Sequence, residues 1–359
     1  MRLLALAACA ALAAGATLSN LRLPVDEAGD ELVTGEASVL LHAGRYYFYF
    51  NDWGGCPGID CCGSSGGCAS CCFGPEQNAS LDGCVYRANH SVVAYSTADL
   101  ASWRRHGVVL AEAARAPGVE FRPNVIRHAA SGAFLMWYED RHENQTGYAV
   151  AVADGPAGPF RTVVDDAAMQ GRGRVGDFSL FVDDDGAAYH VRTGFVVERL
   201  ADDYRSGAGP YAEFASPRPA EAPVMFKERG TYYVVAGTGC CACRGGASAY
   251  VFSADAPLGN WTYRGDVGSR PGAFDPHSPD NYVTNAQGSA VFRVGGDLVY
   301  LGNQWVTSAR PGGPRNNDLL SWYKLEFDSD GDVAPLTHID AIDVRPGGAN
   351  LEGRARAQR

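Results

Sequence analysis

One local pattern recurs five times along this chain, and it constrains the fold more than any other feature. A turn glycine is followed by an alternating, aromatic-rich run: Gly44-Arg45-Tyr46-Tyr47-Phe48-Tyr49, Gly132-Ala133-Phe134-Leu135-Met136-Trp137-Tyr138, Gly186-Ala187-Ala188-Tyr189-His190-Val191, Gly230-Thr231-Tyr232-Tyr233-Val234-Val235 and Gly296-Asp297-Leu298-Val299-Tyr300-Leu301. Each copy follows a short apolar stretch, namely Ser38-Val39-Leu40, Asn124-Val125-Ile126, Ser179-Leu180-Phe181-Val182, Val224-Met225-Phe226 and Ala290-Val291-Phe292. Aromatic and β-branched residues in alternation, closed by glycine turns, read as hairpins. Helical periodicity is scarce. Five hairpins spread over most of the chain predict an all-β, five-bladed β-propeller, with a β-sandwich or jelly roll as the competing use of repeated hairpins.

The repeat runs nearly to the end, so the 359 residues are expected to hold one domain, over 17–345. The uneven spacing implies loop insertions, the largest over 53–86 in the first blade. Residues 346–359, Arg-rich after Pro346-Gly347-Gly348, are expected to form a disordered tail. The first 16 residues have the layout of a secretory signal peptide: Arg2, an apolar run from Leu3 to Ala14, and the small-x-small site Ala14-Gly15-Ala16. The chain is therefore expected to be secreted to the extracellular space. Four sequons, at Asn78, Asn89, Asn144 and Asn260, fit that route and predict a glycoprotein.

A leader containing Cys9 would leave ten of the eleven cysteines. Cys56, Cys61, Cys62, Cys68, Cys71, Cys72 and Cys84 crowd the insertion, and Cys240, Cys241 and Cys243 follow the fourth hairpin. In an exported chain such clusters read as disulfides. If all ten pair, the odd count in each group requires at least one bridge between them, which predicts that the two loops meet on one face. Cys68-x-x-Cys71 has zinc-like spacing but no second such pair, so no metal site is assigned. The formal charge of −11, without a basic cluster, argues against nucleic acid or an anionic membrane as partner. Asp183-Asp184-Asp185-Gly186 and Asp328-Ser329-Asp330-Gly331-Asp332 read as hairpin turns.

Asp177-Phe178-Ser179-Leu180-Phe181-Val182-Asp183-Asp184-Asp185-Gly186, and Glu221-Ala222-Pro223-Val224-Met225-Phe226-Lys227 before Gly230-Thr231-Tyr232-Tyr233, resemble the third- and fourth-blade motifs of glycoside hydrolase family 43. Asn285-Ala286-Gln287-Gly288-Ser289, Leu301-Gly302-Asn303-Gln304-Trp305 and Ser321-Trp322-Tyr323-Lys324-Leu325 resemble later motifs of its galactan 1,3-β-galactosidase branch. The resemblance implies an inverting glycosidase on galactan- or arabinan-type polysaccharide, with Glu221 as general acid and Asp177 tuning and orienting it. The family's usual base is an Asp opening the first blade, where this chain has Glu36. The galactanase branch uses a Gln, which Gln287 would match. A carboxylate is the stronger base, so Glu36 is favoured.

Glu120-Phe121-Arg122-Pro123 resembles the branch's Glu-Arg-Pro-Lys motif with an inserted Phe. One extra residue in a strand moves a side chain to the other face, so either Glu120 or Arg122, not both, is expected to line the pocket. Trp137, Tyr138 and Trp305 are candidates to stack on a sugar, and Arg192 and Asn285 to bind hydroxyls. Such chemistry requires no cofactor, and a structural calcium would sit on the propeller axis. The chain is expected to be a monomer. The competing reading is a non-catalytic propeller that binds a glycan or a protein.

Overall fold

A computed structural model describes residues 15–52, 90–115, 119–142, 145–172, 175–237, 248–269, 287–304 and 318–345. Strand β1 (Ala16–Ser19) comes first. Blade 1 holds β2 (Ala37–His42), β3 (Arg45–Asp52), β4 (Ser91–Thr97) and β5 (Arg104–Leu110), and blade 2 holds β6 (Val119–Arg127), β7 (Phe134–His142), β8 (Gln145–Ala153) and β9 (Arg161–Val164). Blade 3 is β10 (Phe178–Val182), β11 (Ala188–Arg192), β12 (Val196–Leu200) and β13 (Gly207–Glu213). Blade 4 is β14 (Glu221–Glu228), β15 (Thr231–Gly237), β16 (Tyr250–Ala254) and β17 (Thr262–Asp266). Blade 5 has β18 (Gln287–Val294), β19 (Asp297–Gln304) and β20 (Leu319–Lys324), and β21 (Ala341–Val344) ends the series. Each blade is an antiparallel meander in sequence order. The five predicted hairpins are the first two strands of the five blades.

The turn glycines explain why the hairpins close where they do. Ala43-Gly44 and Arg229-Gly230 both have positive φ at two successive residues, the backbone of a tight turn that follows the strand twist. The first strands touch in order around the axis, β2 to β6 to β10 to β14 to β18, and β18 returns to β2. That closure makes a propeller and excludes the sandwich. Among the described residues no helix is long and apolar enough to cross a membrane.

The core is divided among the five gaps between blades. Phe48, Phe50, Trp103 and Trp322 fill the gap between blades 5 and 1, and Tyr49, Met136, Tyr138 and Phe160 that between 1 and 2. Trp137, Tyr148 and Phe178 lie between 2 and 3, Val191, Phe195 and Phe252 between 3 and 4, and Tyr233, Tyr300 and Tyr323 between 4 and 5. Alternation along each strand thus feeds one gap with odd residues and the next gap with even ones.

Ring closure rests on a buried polar residue. β1 pairs with β21, with Ala16 opposite Val344, so the last residue of the expected leader already belongs to the strand. Next to it, Asn20 donates through Nδ2 to the carbonyls of Trp322 and Ile339 at 3.2 and 2.9 Å, and its Oδ1 accepts from the Trp322 amide at 2.6 Å. Its own carbonyl accepts from Gln304 Nε2 at 3.0 Å. One side chain therefore ties the start of the ring to its last blade. Replacing Asn20 with Ala strands buried backbone groups and is expected to destabilise by about 2–3 kcal/mol, measured by denaturant unfolding with an unchanged slope.

Candidate active site

The first strands of all five blades begin at the same end of the axis, and the candidate acids gather there. Glu36 immediately precedes β2, Asp177 immediately precedes β10, and Glu221 opens β14. Three of these first strands carry a β-bulge near that end. Pairing slips between Phe121 and Asn124 in β6, between Glu221 and Val224 in β14, and between Gly288 and Ala290 in β18. In blades 2 and 4 the bulge holds a non-glycine residue in the left-handed region, Arg122 at φ +52° and Ala222 at φ +53°, each just before a proline. Such a conformation costs of order 1 kcal/mol or more and persists only where its surroundings hold it.

Two carboxylates do the holding. The Arg122 amide donates to Glu36 Oε2 at 3.0 Å. The Ala222 amide donates to Asp177 Oδ2 at 3.1 Å. In both cases the acid that leads one blade accepts the bulge amide from another, blade 1 from blade 2 and blade 3 from blade 4. Arg122 adds a second link, because its Nε lies 2.9 Å from Asp177 Oδ1, with the N–H off the line to that oxygen. Burial disfavours the guanidinium's charge, but Asp177 and Glu36, with a smaller contribution from Glu221, hold its pKa above the ordinary arginine value. Glu36, Asp177 and Glu221 therefore converge on one cation. Glu221, one residue from the amide that Asp177 holds, is exposed to solvent, whereas Glu36 is buried.

Asp177 is fixed from behind as well. Its carbonyl accepts from the Thr193 amide at 2.8 Å and the Thr193 hydroxyl at 3.1 Å. Tyr148 Oη donates to the Gly176 carbonyl at 2.8 Å and accepts from the Gly176 amide at 3.1 Å. The loop before it is clamped by Glu198, which accepts from the Gln170 and Gly171 amides at 2.7 and 2.9 Å.

A second buried group lies behind Glu36. Glu120 has no solvent exposure, and its amide donates to His90 Nε2 at 3.0 Å. That bond assigns the neutral imidazole's proton to Nδ1, 3.5 Å from Glu120 Oε2. Burial pushes the Glu120 carboxyl up to about 8; Arg115 opposes the rise, and Glu36 and Asp140 add to it. Glu120 therefore holds its proton near neutral pH, and so places no like charge beside Glu36.

The family model of glycosyl hydrolases family 43 matches residues 84–262, about half of the chain, including Arg122, Asp177 and Glu221. The chain belongs to glycoside hydrolase family 43. An arabinoxylan arabinofuranohydrolase from Bacillus subtilis (strain 168) is 26% identical over 225 residues, 51% of this chain but 43% of that protein, so the chain matches less than half the length of this curated relative. A family 43 β-1,3-galactosidase with galactodeoxynojirimycin superposes with a TM-score of 0.69 at 21% identity, over 90% of this chain and 99% of the other. Two exo-β-1,3-galactanases also share the fold. That from Clostridium thermocellum gives 0.68 at 21%, over 92% and 68% of the two chains. That from Phanerochaete chrysosporium, with β-1,3-galactotriose, gives 0.67 at 19%, over 92% and 71%.

Several residues expected on the wall of this family 43 pocket lie elsewhere. Trp137 is core, its indole donating to the Tyr204 carbonyl at 2.8 Å. Tyr138 is core too, its hydroxyl 2.8 Å from Thr162 Oγ1. Arg192 is buried in an ion pair with Glu198 at 3.1 Å and donates to the Gly171 carbonyl at 2.7 Å. Glu120 and Arg122, of which one was expected to line the pocket, are both buried. The inserted Phe121 enters a bulge, and the bulge absorbs the flip that strict alternation would impose. Arg122 sits among the acids as their counter-ion instead of standing free for a sugar.

Asn285, Trp305 and all the cysteines lie outside the described residues, as do the sequons at Asn78, Asn89 and Asn144, the leader up to Ala14 and the tail from 346. Gln287 opens β18 opposite Asn303, at the place in blade 5 that Glu221 holds in blade 4. The acidic turns are turns: Asp183 takes Lys227 Nζ at 2.7 Å, and Asp328 Oδ1 caps the Asp330 and Asp332 amides at 2.9 and 3.0 Å. Among the described residues no three His, Cys, Asp or Glu side chains are arranged to hold a metal ion. Sequence reading missed Glu198, Tyr148 and Asn20, whose roles depend on neighbours far along the chain.

Because Glu120 keeps a proton in the fold that it loses when unfolded, the native state holds more protons between the ordinary glutamate range and about pH 8. Its contribution makes stability fall as pH rises through that window and level off above it. Glu120→Gln is expected to flatten this fall, so that the variant gains on the wild type at pH 8 and matches it near pH 4. Thermal unfolding midpoints across the range measure it.

Proposed function

We propose that this chain is a secreted, inverting glycoside hydrolase that acts on β-1,3-galactan-type chains, with arabinan-type chains as the second substrate class. The observation that carries the reading is the convergence of Glu36, Asp177 and Glu221, from blades 1, 3 and 4, on the buried Arg122. An acid and a base drawn from different blades can flank a sugar from opposite sides, as inversion requires. Glu221, accessible at the mouth of the site, protonates the leaving glycosidic oxygen. Asp177 orients the strand that carries it through the Ala222 amide.

Glu36 is the base of this reading, its carboxylate held by the Arg122 amide. Gln287 is its competitor. The names of the solved relatives support the galactan assignment, and the curated arabinofuranohydrolase supports arabinan as the second class. The signal-like leader, the ten remaining cysteines as a disulfide set and the exposed Asn260 support export.

The burial of Glu36 favours one other reading, in which the carboxylate serves only to hold the bulge and the propeller binds glycan without cleaving it. Turnover separates the two. Glu221→Gln is expected to lower kcat on β-1,3-galactooligosaccharides by at least 10³-fold with the fold intact, and proton NMR of the first product formed is expected to show the inverted anomer. A wild type that binds these oligosaccharides yet releases no sugar establishes the binding reading. If hydrolysis occurs, comparing Glu36→Gln with Gln287→Ala assigns the base, since added azide rescues turnover when the true base is lost and not when a residue that only holds the bulge is lost.

A further inference from the structure

We propose that Arg122 is a positioning residue that joins the base end of the site to the acid end. The proposal rests on the hydrolase reading above. The repeated device between blades is a leading carboxylate bound to a bulge amide: Glu36 to Arg122, and Asp177 to Ala222. Blade 4 has Ala222 at its bulge and the line ends there. Blade 2 has Arg122 at the equivalent place, and its side chain carries the line onward to Asp177. A continuous polar path thus runs from Glu36 through the main chain and then the guanidinium of Arg122, through Asp177, to the residue beside Glu221.

Two consequences follow. The guanidinium pairs with Asp177 and holds the carboxylate whose bond to the Ala222 amide orients the Glu221 strand. The main-chain bond and the ion pair also fix Glu36 and Asp177 relative to each other, and the bond from Asp177 to the Ala222 amide extends that control to the strand of the acid. Its buried guanidinium faces Asp177, Glu36 and Glu221, with Tyr300 from blade 5 also within electrostatic reach. Nothing in this arrangement needs Arg122 to touch substrate.

The test uses the full chain with Arg122→Met, which keeps the main-chain amide and the apolar stem but removes the charge, and Arg122→Lys, which keeps the charge. Arg122→Met is expected to lower kcat about 100-fold with KM changed less than threefold. The whole pH profile of kcat should move upward, because removing a cation favours the protonated form of every nearby carboxyl. Arg122→Lys should restore about tenfold of the lost kcat. A rise in KM at constant kcat would make Arg122 a sugar ligand and overturn the proposal. So would a loss of kcat at every pH with the profile in place, which marks a structural role.

A double-mutant cycle on unfolding, with Arg122→Met and Asp177→Asn, reads the same link without turnover. The combined rise in the unfolding equilibrium constant should be at least tenfold smaller than the product of the single rises. If the effects multiply independently, the link does not exist. If Arg122→Met does not fold, Arg122→Gln, which also removes the charge, takes its place in the cycle with the same criterion. A wild type without turnover but with a coupled cycle sinks the hydrolase reading and leaves the Arg122–Asp177 link standing.

Discussion

A carboxylate that accepts the main-chain amide of a bulge in another blade is the interaction on which this site depends. A bulge that places a non-glycine residue at positive φ is strained, and the acid opposite it supplies a charge-assisted bond that offsets the strain. The relation runs both ways. The bulge amide fixes the carboxylate, so an acid at the end of a strand, where side chains usually sway, is held to a definite position. Glu36 and Asp177 are each held in this way. The site is therefore part of the joint between blades, and its geometry is as firm as the ring.

The ring itself is firm because the apolar work is spread over five gaps instead of one centre. Each gap is filled by side chains from two blades, and each blade serves two gaps, so no blade can shift without opening two interfaces. Closure of such a ring needs its first and last elements tied, and Asn20 ties them with bonds that reach β20, Ile339 and Gln304. Polar groups then decide what the apolar stack leaves open. The stack sets the spacing of the blades, while buried pairs such as Arg192–Glu198 set the paths of the loops between them.

The propeller was legible because its signal is local: five glycine turns, each followed by an alternating strand, survive any change in the loops between them. Asp177 and Glu221 were legible as motifs for the same reason, since each lies next to a hairpin with a recognisable pattern. What alternation could not reveal was where it breaks. Trp137 and Tyr138 look like a sugar platform in sequence, yet one faces the gap to blade 3 and the other the gap to blade 1. Both faces of a propeller strand are interior, so an aromatic there carries no sign of which residues meet solvent. Glu120 and Arg122 were misjudged by the rule that opposite faces have opposite fates. The bulge between Phe121 and Asn124 suspends that rule, and only its pairing register reveals it. Arg192 had the residue type of a hydroxyl binder, but its partner Glu198 lies on the neighbouring strand.

The charge balance near the axis gives these misjudged residues their meaning. Three carboxyls, Glu36, Asp177 and Glu221, act on Arg122, and a fourth, Glu120, lies near Glu36 with Arg115 as the opposing charge, so a buried site holds more acids than cations. The ring relieves the excess in two ways. Glu120 keeps its proton because burial makes its anion too costly, and Glu221 opens toward water, where its charge is screened. That leaves Glu36 and Asp177 to share the buried guanidinium, one through the main chain and one through the side chain. Acid–base chemistry asks for carboxyls of unequal proton affinity close together. Here burial raises the Glu120 carboxyl behind the site, while Glu36 is buried with the Arg122 amide as its partner and Glu221 meets solvent at the mouth.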